Sequence, residues 1–445
     1  MSSPLESARL RRIIAAYSVN RLGTWFGLVA LMVAVFDHTH SAFAVAGLLL
    51  AWQAVPAFVV PAVVARVEAS SRRRELSGLY WFEAVATASL AVLLWHFWLP
   101  AILLIAALDG TASLTANSLL RAEVARAGRD WVEELPANVG RSRESLEEEA
   151  NEAERKANAA LNVAFSLSFV IGPAIGGVVV AGAGAPAALF IDVGSFVICG
   201  AMLLDLHPHV EEAGGESIRA RLSAAWRHVN EVPSLRGLLA MEAVALLFFE
   251  AGGPIEVAYA KATLHAGDRG YGLLLTAWGL GAVLGSLVFA RLVSRPLAAM
   301  LGAGTLAIGA GYVGFAIVPS LALACLAAVV GGIGNGLQWP SLISIVQRLT
   351  PQRLQGRMMG GVESLAALCL AVGLLLGGTL VAVSSPRVAF LAVGAGAIAT
   401  TAALVRRTQQ SLSAVAGEAD GEAGGPPADA SIVLGESLAH ESLQD

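Results

Sequence analysis

The chain has 445 residues, 56% hydrophobic and only 14% charged, with a formal net charge of −5. That is too little charge for a water-soluble protein of this length, and the run from Gly302 to Leu337 carries no charge at all. The acidic residues cluster in one loop and the tail, and basic residues concentrate only on alternate connections, which excludes a nucleic-acid-binding surface.

Read with a window of about 19 residues, the sequence divides into twelve stretches long enough to cross a hydrocarbon core of about 30 Å. They fall near 13–36, 42–65, 76–96, 99–120, 157–182, 185–204, 237–260, 270–290, 297–318, 320–345, 358–383 and 386–405, and are numbered here as spans 1 to 12. With both termini on one side, the connections on that side hold 25 Lys and Arg residues, those on the other side hold 3 (Lys261, Arg269, Arg387), and Arg21 lies within span 1. The positive-inside rule then puts both termini in the cytoplasm. Arg9, Arg11 and Arg12 before an apolar run imitate a signal peptide, but the run is too long and a second span follows at once. Cys199, Cys325 and Cys369 all fall in spans, with no pair at metal-ligand spacing, and read as small core residues.

In chain order, residues 1–204 form a first six-helix bundle, 205–236 a cytoplasmic linker, 237–407 a second six-helix bundle, and 408–445 a tail. The connection after span 4, residues 121–156, is 36 residues against 12 in its counterpart after span 10. This acidic insertion ends in a Glu run from Glu147 to Glu154 that favours a solvated helix leading into span 5. In the linker, Ser217 to Asn230 reads as a basic amphipathic helix lying on the membrane surface. The tail has no Lys or Arg, seven acidic residues and a Gly424-Gly-Pro-Pro break, a composition expected to be disordered. The halves look duplicated. Arg66 and Arg291 each follow the second span of their half at an offset of 225, and past the insertion Gly172-x-x-x-Gly176-Gly177 recurs as Gly373-x-x-x-Gly377-Gly378 at an offset of 201. Parallel six-span repeats around a midplane site are a transporter architecture.

Several stretches now carry a family resemblance. Ala157-Asn-Ala-Ala-Leu-Asn162 leads into Gly172-Pro173-Ala-Ile-Gly176-Gly177, then Ile191-Asp-Val-Gly-Ser-Phe196; Gly270-Tyr-Gly-Leu-Leu274 opens span 8 and Leu354-Gln-Gly-Arg-Met-Met359 opens span 11. In order and spacing the chain resembles the major facilitator superfamily, in particular its drug and siderophore exporter branch, which includes macrolide-efflux and enterobactin-exporter proteins. The resemblance implies an all-α membrane protein whose twelve helices form two six-helix pseudo-repeats around a central cavity lined by spans 1, 4, 7 and 10. Gly172, Pro173, Gly176 and Gly177 resemble the superfamily's antiporter motif. Its glycines give a smooth packing face and its proline bends the helix. The signature expected after span 2 is weakened, with Pro61 and Ala65 where Gly and Asp stand in the family and Glu68 a candidate substitute. Arg66, with Arg291 and Arg357 at other inner ends, is expected to form a cytoplasmic gate.

Ionisable groups deep in spans cost about 2.5–3.5 kcal/mol each and need a reason. They are Arg21, Glu83, Asp109, Glu242, Glu250, Glu256 and Glu363. By helix rise, Asp109 and Glu250 lie near the midplane, and the resemblance points both at the cavity. Arg21 is expected to reach Asp109 and hold it charged as a gate. Glu250 has no basic neighbour and is followed by Gly252-Gly253-Pro254, so it is the expected proton carrier. Asn20, Thr24, Trp25, Asn335, Gln338 and Trp339 are the candidate cavity residues, suited to a bulky amphipathic ligand. The leading expectation is a proton-driven antiporter, monomeric in the lipid of a bacterial inner membrane, that exports a drug, siderophore or metabolite and needs no cofactor beyond the proton gradient. A facilitator or lysolipid or nutrient importer of the same fold, and a transport-inactive receptor, are the alternatives. No phosphate loop, His-Glu-x-x-His or paired cysteines suggest an ATP-driven pump, a metal site or an enzyme.

Overall fold

The computed structural model describes residues 4–68, 75–133, 143–204, 218–292, 295–351 and 354–403. Among the described residues are twelve helices long and apolar enough to cross a membrane: 8–39, 42–60, 76–96, 99–132, 145–183, 185–202, 233–263, 267–291, 297–317, 321–348, 357–383 and 386–403. These are spans 1 to 12 in order. Among the described residues every long element is a helix, as expected where backbone groups in lipid must be satisfied within their own segment. Their outward faces carry large apolar side chains such as Phe58, Leu104, Leu326 and Val388, a surface matched to hydrocarbon.

Local chemistry sets the ends. Ser7 and Ser41 cap spans 1 and 2 by accepting from the backbone N–H of Leu10 (3.4 Å) and Ala44 (3.3 Å). Pro186 and Pro233 sit in the first turns of spans 6 and 7, where their missing N–H costs nothing. Gly184, at φ +86°, makes the turn between spans 5 and 6. Two π-helical segments interrupt the regular winding, Leu50–Ala54 in span 2 and Tyr259–Thr263 at the end of span 7.

We call the end of the molecule that carries residues 8–12 and the linker the proximal face, and the opposite end the distal face. At the distal end, residues from both halves share one core that runs from Val29–Phe36 and Ala42–Leu49 to Ile255–Ala260, Tyr271 and Phe390. At the proximal end there are two cores with no shared residue. One holds Leu10, Tyr17, Leu120 and Leu161; the other holds Val229, Leu235, Leu342 and Met358. Among the described residues the halves therefore share a core only at the distal end.

Spans 2 and 11 and spans 5 and 8 make the main contacts across the halves. Both use the repeated glycines. A Cβ on Gly177 would lie 2.8 Å from the Asp268 carbonyl oxygen and 3.0 Å from the Gly272 Cα; one on Gly378 would lie 2.9 Å from both the Ala46 Cβ and the Phe43 Cα. The contact is pseudo-symmetric. Gly378 lies 201 residues after Gly177, while Asp268 and Gly272 lie 226 after Ala42 and Ala46, one residue more than the arginine spacing suggests.

The described residues of the insertion continue the helices of spans 4 and 5. The helix of span 4 continues to Glu133 and that of span 5 begins at Arg143, in keeping with the solvated helix expected there. Trp131, Val132, Ala150 and Ala153 pack between the two extensions. Arg9 ties the span 4 extension to the first helix through Glu123 (3.0 Å) and Asp130 (3.0 Å). The linker helix is Ile218–Glu231. It docks on the second half through Val229 and through a His228 bond to the Leu349 carbonyl (3.2 Å), with Trp226 69% exposed. The tail beyond residue 403 lies outside the described residues.

Candidate functional site

A cavity of about 170 Å³ lies between the halves, beneath the distal core. Its lining comes from spans 1 (Leu28, Met32), 2 (Leu49, Gln53), 5 (Phe169), 7 (Phe249, Glu250, Glu256), 8 (Tyr271, Trp278), 9 (Tyr312) and 11 (Leu370) among others. Spans 4 and 10, expected on the wall, are absent from it. Span 10 is drawn against spans 8 and 9 by close glycine contacts, and span 4 turns its acid toward spans 2 and 3.

Glu250 sits where expected, on this cavity and against Gly373 of span 11. Glu256 joins it, buried and about 9 Å further along the helix axis. Among the described residues, neither carboxyl group has a hydrogen-bonding or ion-pair partner. The neighbouring tyrosine hydroxyls are directed elsewhere. Tyr312 donates to the Phe249 carbonyl (2.9 Å) and Tyr271 to the Met32 sulfur (3.1 Å). Trp278 stacks on Tyr312 (centroids 5.5 Å) and lies 6.1 Å from Phe249.

Asp109 is placed differently from the expectation. It is buried inside the first half, where it accepts from Trp52 Nε1 (3.1 Å) and from the Thr87 hydroxyl (3.4 Å). It borders a separate, water-sized pocket with Thr24, Ser113 and Asp192. No ion pair joins it to Arg21. The guanidinium instead lies over the rings of Tyr17 (5.3 Å) and Phe165 (5.7 Å), a cation–π arrangement that a depth argument alone does not anticipate. Asp192 accepts from Ser195 (3.1 Å), and Glu83 is fully buried nearby.

None of the six candidate cavity residues borders the cavity between the halves. Asn20 is buried, and its carbonyl accepts from Thr24 (2.9 Å). Trp25 packs on Gly172 and edge-on to Phe169 (5.0 Å). Gln338 is buried in the second half, donating to Glu242 (2.8 Å) and Thr305 (3.2 Å); Asn335 is half-buried on the same helix, and Trp339 packs into the proximal core. Span 10 thus spends its amide on a buried acid of its own half. The residues missed by sequence reasoning are Gln53, Glu256 and the aromatic wall. Glu256 was visible as an acid within a span, whereas the π-helical segment that presents Trp52 to Asp109 and Gln53 to the cavity has no sequence signal.

The antiporter-like motif forms part of the distal seal. Gly172 and Gly176 accept span 1 at Trp25 and Phe26, Gly177 meets Gly272, and Pro173 lies within the helix. Lys261 strengthens the same end, at 2.5 Å from Asp37 in the first half and 2.6 Å from Asp268 in its own. Of the expected gate residues, the Arg66 side chain lies outside the described residues, Arg291 is exposed at the proximal end of span 8, and Arg357 stands at the start of span 11.

Comparison with known proteins fits this architecture. A profile of the transmembrane secretion effector family matches residues 143–430, well over half of the chain. The multidrug efflux pump Tap of Mycolicibacterium fortuitum is 29% identical over 274 residues, 58% of this chain and 63% of that pump, so the matched stretch spans less than two thirds of the relative. Tap of Mycobacterium tuberculosis is 27% identical over 310 residues, 68% of each chain. The crystal structure of the nucleoside transporter NupG superposes with a TM-score of 0.66 at 12% identity, over 90% of this chain and 99% of that one, a likeness of fold. The chain is a multi-pass membrane protein that belongs to the transmembrane secretion effector family.

Proposed function

We propose that the protein is a proton-driven antiporter that exports an amphipathic small molecule by alternating access. It would work as a monomer in the bacterial inner membrane with both termini in the cytoplasm. The distal face is then the outer one, and the arrangement described is open inward, ready to load from the cytosol. Its relation to two multidrug efflux pumps supports export, and the excess of Arg and Lys on alternate connections supports the orientation.

The observation that carries the reading is Glu250, an acid with no partner among the described residues, on the cavity where the two halves meet. A carboxylate in so apolar a place needs a counter-charge, and a proton taken from outside and released inside supplies one in each cycle. Asp109, set behind Trp52, is the second coupling candidate and belongs to the first half alone. Efflux of a compound panel from cells expressing the protein, with and without a proton uncoupler, tests the reading. Loss of efflux on uncoupling is expected, and efflux indifferent to the uncoupler would contradict it. The same assay on Glu250→Gln is expected to show no gradient-driven efflux.

A further inference from the structure

We propose that the cavity between the halves takes an amphipathic organic cation, and that Glu256 is the residue that holds its charge. The inference rests on the reading of this cavity as the transport site and adds the chemistry of what it carries.

Among the described residues, the lining contains two carboxyl groups and no Lys, Arg or His. Five of its side chains are aromatic: Phe169, Phe249, Tyr271, Trp278 and Tyr312. Among the described residues, nothing answers the Glu256 charge. The tyrosine hydroxyls beside it donate to Met32 and to the Phe249 carbonyl. The cation next along span 7, Lys261, is engaged by Asp37 and Asp268. An uncompensated carboxylate in an apolar site is costly, so Glu256 is neutralised either by a proton or by a cationic ligand, and a cation in the cavity displaces the proton.

The walls decide which kind of cation. Inorganic ions want several oxygen ligands, and among the described residues no group of three or more His, Cys, Asp or Glu is placed to hold a metal. Aromatic faces and aliphatic side chains instead match a charge buried in hydrocarbon, which they attract through ring quadrupoles and contact area. An anion of the same shape would meet two like charges, and a neutral one would leave Glu256 to a proton. The two acids also divide the work by position. Glu256 lies at the closed distal end beneath Tyr271 and Tyr312, while Glu250 is less buried and about 9 Å nearer the proximal opening.

Equilibrium binding of tetraphenylphosphonium and tetraphenylborate to the purified full-length protein in neutral detergent tests this with probes of matched shape and opposite charge. The phosphonium is expected to bind at least 10-fold more tightly. Glu256→Gln is expected to weaken the phosphonium at least 10-fold, and Glu256→Asp to recover much of the loss. Equal affinity for the two probes, which requires no variant, would overturn the cation assignment. Unchanged phosphonium affinity in a folded Glu256→Gln protein would overturn the role of Glu256. Neither outcome touches proton coupling, which is read separately from the effect of an uncoupler on efflux from cells.

Discussion

Replacing Gly177 by alanine should open the distal face. The new Cβ would sit 2.8 Å from the Asp268 carbonyl oxygen, 3.0 Å from the Gly272 Cα and 3.3 Å from its nitrogen, all backbone atoms that cannot rotate away. Carbon contacts settle near 3.5–4.0 Å, so spans 5 and 8 must part by roughly 0.5–1 Å at this point. Overpacking of this kind costs about 1–3 kcal/mol. In the proposed alternating-access cycle this contact joins the halves only while the distal face is shut, so the cost falls on that state and shifts the balance toward the alternative about 5- to 150-fold. Lys261→Ala removes the ion pair to Asp37 from the same seam, but Asp37 is 47% exposed, so the loss is about 0.2–1 kcal/mol, at most about 5-fold. Helix contact should therefore outweigh charge. Distances between spin labels at His96 and Ser384, on exposed distal ends of the two halves, would report the populations, with Cys199, Cys325 and Cys369 first replaced by alanine. Gly177→Ala, and its counterpart Gly378→Ala, should lengthen the distance more than Lys261→Ala does. A Gly177→Ala distribution identical to that of the parent, with Lys261→Ala clearly opened, would refute the packing argument.

Two further substitutions test the halves separately. Gln338→Leu strips the buried Glu242 of its amide donor and should cost about 1–3 kcal/mol, seen as a lower thermal midpoint in detergent, with Glu242→Leu in the same chain recovering part of it. Arg9→Ala leaves Glu123, 1% exposed, without its guanidinium. Because Arg9 itself is 37% exposed and screened, the expected loss is nearer about 1 kcal/mol, and Glu123→Gln should relieve it.

Much of the architecture is legible in the chain because the bilayer imposes it. Helices of about 20 apolar residues and an uneven spread of arginine are demands of hydrocarbon and of membrane insertion, and each appears directly in the residues. The glycine repeat was equally readable, because close helix approach admits little else at Gly177 and Gly378. What the sequence conceals is direction around each helix. Helix rise puts Asp109 and Arg21 at workable depths, but it does not say that Asp109 turns to Trp52 or that Arg21 turns to Tyr17 and Phe165. Gln338 reads as a cavity amide until Glu242 is found beside it. The π-helical turn at Leu50–Ala54 changes the phase of span 2 with no composition to announce it. Glu256 was in plain view, and only the cavity around it separates it from the other acids in the spans.

In the proposed mechanism Glu250 exchanges a proton for substrate across the cavity between the halves. Proteoliposomes loaded with a transported compound and a pH-sensitive dye would show it most directly. Release of the compound down its gradient should move protons the opposite way in the parent protein, and Glu250→Gln should still exchange compound while the proton signal disappears. A proton signal of undiminished size in Glu250→Gln would contradict the account.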